Sequence, residues 1–96
     1  QVLLKSSVAR TITVDGSVVQ PGLYPVTGEL SLLQTIAMAR GTATGANPRR
    51  VVVFRTIGGQ RMAASFDLKS IRKGEMADPA IYPDDIVVVD GSNLSA

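Results

Sequence analysis

The chain has 96 residues, ten Lys plus Arg against eight Asp plus Glu, and neither Cys nor His. Without Cys there is no disulfide, thiolate nucleophile or thiolate metal site, and the chain suits a reducing or an oxidising compartment equally. Without His the usual general base and the commonest metal ligand are missing, and a net charge of +2 gives no basic surface that would imply nucleic acid.

The length predicts a single domain over residues 1–96 with its core between about residues 10 and 90. Hydrophobic residues make up 45% of the chain but aromatic ones only 4%, so the core must be aliphatic. No apolar run is long enough to insert in a membrane. The start, Gln1-Val2-Leu3-Leu4-Lys5, has no initiator Met and no signal peptide, which reads as a piece excised from something longer.

From residue 11 the apolar positions alternate: Ile12, Val14 and Val18 share one parity with Gly16. Asp15-Gly16 could close a type I′ hairpin, but the unbroken parity favours one strand over 11–19, with Gly16 at a bulge or a close backbone approach. Pro21-Gly22 then reads as the tight turn into a second extended run containing Leu23, Tyr24 and Val26.

Ser31 and Gln34 have capping-box spacing at the start of a helix over 31–41. Leu32, Leu33, Ile36 and Ala39 or Arg40 recur at helical spacing, leaving Gln34 and Thr35 in water, and Gly41 ends the helix in the left-handed region. Residues 42–48 are small and polar and read as a loop.

A hairpin follows, with strands over 51–57 and 60–66 around Gly58-Gly59 as a primed turn. On the return strand Met62, Ala64 and Phe66 share a face that can be buried. Asp67 caps a short helix with Leu68 and Ile71 inward and Gly74 as its stop. The stretch 75–83 reads as irregular. Tyr82-Pro83-Asp84-Asp85 turns the chain into Ile86–Val89, a run fit for a central strand, and residues 90–96 read as a frayed tail. The order predicts an α+β fold: a β-grasp-like mixed sheet of four to five strands, one main helix packed on one face and a short second helix.

These residues also resemble a family. Val14-Asp15-Gly16-Ser17-Val18, Pro21-Gly22-Leu23-Tyr24 and the helix Ser31 to Gly41 look like the soluble-ligand-binding β-grasp (SLBB) domain of outer-membrane polysaccharide export proteins. Val51, Val53 and Arg55, then Asp67, Leu68, Ile71 and Gly74, then Pro83, Asp85, Val87 and Val89 continue the pattern in order. Two positions depart from it. Arg40 stands where the first glycine after the helix is usual, and Asp84 replaces the glycine of Pro-Gly-Asp, which puts that turn's geometry in question.

The resemblance implies a non-catalytic, cofactor-free periplasmic module in a ring-shaped homo-oligomer that exports capsular or exopolysaccharide. Polysaccharide, further copies and an inner-membrane polysaccharide co-polymerase would be its partners. A second reading is a β-grasp ligand- or partner-binding domain of an electron-transfer complex or cofactor-handling protein, for which the absence of Cys leaves no cluster site. A generic ubiquitin-like interaction domain is a third.

Four arginines are the candidate carbohydrate ligands: Arg49, Arg50, Arg55 and Arg61, which could form a basic stripe that meets acidic sugars bidentately. A solvated strand edge protected by charge is the plainer reading of the same residues. Asp84, Asp85 and Asp78 could suggest acid/base work or Ca²⁺, although adjacent aspartates before a strand are more often turn formers. Tyr24 and Tyr82 could stack on sugar rings or simply cover core edges. Gly16, Pro21, Gly22, Ser31, Gln34, Gly41 and Asp85 carry the structural motif. No catalytic and no metal-ligating residues are assigned.

Overall fold

The computed structural model describes residues 10–91. The reading of Gln1–Lys5 as an excised start, and most of the frayed-tail expectation, lie outside these residues.

The elements in order are β1 (Thr11–Gly16), β2 (Gly22–Pro25), β3 (Leu30–Ser31), α1 (Leu32–Met38), β4 (Ala46–Ile57), β5 (Gln60–Phe66), α2 (Leu68–Arg72), β6 (Ala80–Ile81) and β7 (Ile86–Gly91). Five strands form one mixed sheet in the order β2-β1-β7-β4-β5, and β3 pairs with β6 in a second, two-stranded sheet. β1 and β7 run parallel at the centre while the other pairs of the main sheet are antiparallel. This is the expected α+β, β-grasp-like arrangement.

The inner face of the main sheet packs on the helices. Ile12, Val14, Val51, Val53, Val87 and Val89 meet Leu32, Ile36 and Ala39 around α1, with Leu68 and Ile71 of α2. Each fully buried Val, Leu or Ile side chain contributes about 1.5–3 kcal/mol, and the set makes an aliphatic core. α1 starts as predicted: the Ser31 hydroxyl accepts the Gln34 N–H and the Gln34 side chain accepts the Ser31 N–H. Thr35, expected in water, is fully buried, because its hydroxyl donates to Ser31 O at 2.8 Å and so needs no solvent.

The strand predicted over 11–19 ends at Gly16. Gly16 sits at φ +82°, and a Cβ there would lie 2.2 Å from Val89 O, so the close approach is real and only glycine permits it. Ser17 N–H then bonds Val89 O, and Val18 leaves the main sheet to bridge Thr42. The reversal accordingly spans residues 17–21, and Pro21-Gly22 leads into β2 rather than forming a two-residue turn.

α1 ends in a Schellman motif: Gly41 N–H reaches Ile36 O and Arg40 N–H reaches Ala37 O. The left-handed residue at its heart is Arg40 (φ +66°), with Gly41 following at φ +88°. Thus the arginine takes the conformation its usual glycine would take. Asp84 does the same at φ +73°, between Pro83 and the Asp85 N–H that closes on Tyr82 O, so the turn keeps its geometry without glycine.

Four further expectations change. β4 begins at Ala46, inside the expected loop, with an irregularity between Ala46 and Val51. The stretch 75–83 contains β6, and Asp90 and Gly91 belong to β7. Most consequentially, Met62 and Ala64 are not buried, because β5 lies at the sheet edge, and only Phe66 packs partly on the core.

Candidate functional site

Alternation along β4 sends Val51, Val53 and Arg55 to the inner face. The two valines enter the core, and Arg55, two residues further, projects past it toward the turn before β7. Asp85 waits there with its side chain 1% exposed. Arg55 Nε donates to Asp85 Oδ1 at 3.0 Å and Nη2 donates to Oδ2 at 2.8 Å, a forked pair of charge-assisted bonds. Nη2 also donates to Ala80 O at 3.2 Å, and Asp85 Oδ2 accepts the Tyr82 N–H at 2.9 Å.

The guanidinium lies 4.7 Å from the centre of the Tyr82 ring. Hydrogen bonding to Asp85 raises the Arg55 pKa above the ordinary arginine value; partial burial opposes the shift, and the Asp85 charge adds to it. A raised arginine pKa means a contribution to stability that is complete below the ordinary value and lost only in extreme alkali. At every ordinary pH the guanidinium is charged.

Arg55 therefore fixes Tyr82, β6 and the β7 turn in place. Tyr82 remains 54% exposed and forms a wall shared by two open grooves. One, of about 530 Å³, is lined beside Tyr82 by Arg10, Glu29, Gln34 and Asp78. The other, of about 470 Å³, runs beneath β5 between Met62, Ile57 and Arg55 on one side and Pro79 to Tyr82 on the other. Both are lined mostly by apolar surface; the first also carries Arg10, Glu29, Gln34 and Asp78 beside its aromatic wall, and the second has Arg55 at its end.

The four candidate arginines do not line one stripe. Arg55 is on the inner face and committed to Asp85. Arg50 and Arg61 belong to the opposite face, where Arg50 meets Asp90 at 3.6 Å and Arg61 lies 5.7 Å over the Phe54 ring. Arg49 stands exposed in the irregular start of β4, its N–H on the Asn47 side chain. Alternation separates them: one residue's difference in position is a change of face.

The aspartates also separate. Asp84 forms the turn, Asp85 holds Arg55, and Asp78 accepts the Leu33 N–H at 3.1 Å near the start of α1. Among the described residues no group of three acidic, Cys or His side chains could hold a metal ion, and no helix is long and apolar enough to cross a membrane. Tyr24 is half-buried against the core, with its hydroxyl donating to Gln20 O. Sequence reasoning missed Arg10 and Glu29 as groove residues and read Gln34 only as a cap. The Arg55–Asp85 pair had a signal, since both residues sit at fixed places of the resemblance.

No curated protein is significantly similar to the chain. The sequence model of the SLBB domain matches residues 11–64, which runs from β1 through most of β5 and takes in Arg55. With that match over more than half of its length, the chain belongs to the SLBB domain family, a class of ligand-binding rather than catalytic modules.

Proposed function

We propose that this domain is the non-catalytic periplasmic binding and assembly module of a polysaccharide export protein, contributing to a ring-shaped homo-oligomer through which capsular or exopolysaccharide passes. The observation that carries the reading is Tyr82: an exposed ring held rigid by Arg55 and Asp85, in a chain of the SLBB family. A clamped aromatic offers its flat apolar surface to the C–H face of a sugar at little entropic cost. Beside it, Arg10, Glu29, Gln34 and Asp78 supply donors and acceptors suited to sugar hydroxyls. Arg49, Arg50 and Arg61 serve as a separate, more weakly held contact for acidic sugars on the outer face, and an inner-membrane polysaccharide co-polymerase is the partner that delivers the polymer.

Titration of the chain with an acidic oligosaccharide, followed by amide chemical shifts, tests the reading. Shifts are expected around Tyr82, with binding weakened about tenfold by Tyr82→Ala, since stacking of this kind is worth about 1–2 kcal/mol. Arg49→Ala with Arg50→Ala is expected to weaken binding of an acidic sugar and spare a neutral one. Absence of any shift at millimolar sugar would end the carbohydrate assignment. A monomeric full-length protein in detergent would end the ring.

A further inference from the structure

The main sheet has two edges, and they are finished differently. β2 has four residues and stops at Pro25, which has no N–H to offer. β5 has seven residues, Gln60–Phe66, with no proline, glycine or carboxylate among them. Every one but Phe66 is exposed, and Ile57 and Met62 at the same edge are 58% and 51% exposed. β5 pairs with β4 alone, so its outer row of N–H and C=O groups has no partner among the described residues. The one charge on the strand, Arg61, leans over Phe54 of the neighbouring strand. Among the described residues that charge is the one usual device blunting this edge.

We propose that β5 pairs antiparallel with β5 of a second copy of this chain, about a two-fold axis through Ala63. The strand is self-complementary in that register. Ala63 meets Ala63, Met62 meets Ala64, Arg61 meets Ser65 and Gln60 meets Phe66, so all seven residues are used and no like charges oppose each other. An in-register parallel pairing would instead set Arg61 against Arg61. On the inner face the pairing brings two Met62 side chains over two Ala64 positions, beside the apolar groove under β5, and so covers apolar surface that α1 leaves open. The two five-stranded sheets become one continuous sheet. A two-fold contact closes on two copies and is distinct from the head-to-tail contacts of a ring, so the inference does not rest on the export reading.

Sedimentation equilibrium of the 96-residue chain from micromolar to millimolar concentration is expected to show a monomer–dimer equilibrium, and a monomer throughout would overturn the proposal. Ala63→Lys sets two ammonium groups face to face at the axis while remaining exposed in the monomer. It is expected to weaken dimerisation about tenfold or more with an unchanged circular dichroism spectrum, and undiminished dimerisation would place the contact elsewhere. The native chain has no Cys, so one introduced thiol reports one position. Ala63→Cys is expected to oxidise to a linked dimer, whereas Ser65→Cys, whose two copies lie apart along the paired strands, stays unlinked. Equal linking at both positions would overturn the register and the proposal with it.

Discussion

Under α1, the inner face of the main sheet is sealed: Val51 and Val87 are 0% exposed and Val89 1%. On that same face of that same sheet, Met62 of β5 is 51% exposed and Arg55 stands where the next core residue of β4 would be. The alternation of apolar residues is equally regular in both regions. What differs is the cover: the buried residues of α1 and α2 pack with the valines of the central strands, and β5 beyond them stays exposed. Beyond the valines, an ion pair and an aromatic ring close the end of the core beside an open groove. The covered half holds the fold, and the uncovered half holds the groove under β5 and the Tyr82 wall.

Substitutions in the two halves should therefore differ in kind. The largest effect is expected from Leu32→Ala, which empties a fully buried site under α1 and should lower unfolding free energy by about 3 kcal/mol in urea denaturation. A loss below about 1 kcal/mol would mean that the helix-covered core is loosely packed and the contrast overstated.

Asp85→Ala strikes the boundary between the halves. It leaves the Arg55 guanidinium unpaired and the Tyr82 N–H without its acceptor, and because Arg55 is about one-third exposed, solvent limits the loss to about 2 kcal/mol. Asp85→Asn, which keeps an acceptor for Tyr82 N–H but removes the charge, should lose about half of that. Equal losses from the two variants would show that shape, rather than charge, closes this end.

A smaller effect of opposite sign is expected at the end of α1. Arg40→Gly relieves a left-handed arginine, gives up the Arg40 Nε to Gln20 Oε1 bond of 3.2 Å, and should raise stability by about 0.5–1 kcal/mol. Destabilisation would mean that the Gln20 contact holds the reversal after β1. The smallest effect is Met62→Ala, within about 0.5 kcal/mol of wild type for the dilute monomer, since that side chain is half in water. A loss comparable to that of Leu32→Ala would remove the distinction between the halves.

Much of the fold was legible because local signals agreed with one another. Ser31 and Gln34 marked the start of α1, Gly58-Gly59 both carry the positive φ of a primed turn, and Asp67 caps α2 through the N–H groups of Lys69 and Ser70. Errors arose where a local pattern had two tertiary outcomes. Parity carried the first strand past Gly16 because nothing local shows that Val89 O lies against that glycine. Thr35 was read as wet because its hydroxyl partner, Ser31 O, exists only in the formed helix. The arginines were grouped by nearness in sequence, while the pleat placed Arg55 and Arg50 on opposite faces.

The sequence by itself determined the order along the chain of the main-sheet strands and the two helices, the helix caps, the aliphatic core and the family, since each rests on residue type at short spacing. Tertiary structure alone decided which alternating face is covered, that Arg55 is bound to Asp85 thirty residues away rather than free for a ligand, and that Tyr82 stands between two grooves. Those outcomes depend on where the helices lie over the sheet and on which distant side chains meet beside it. Residue spacing records neither of these things.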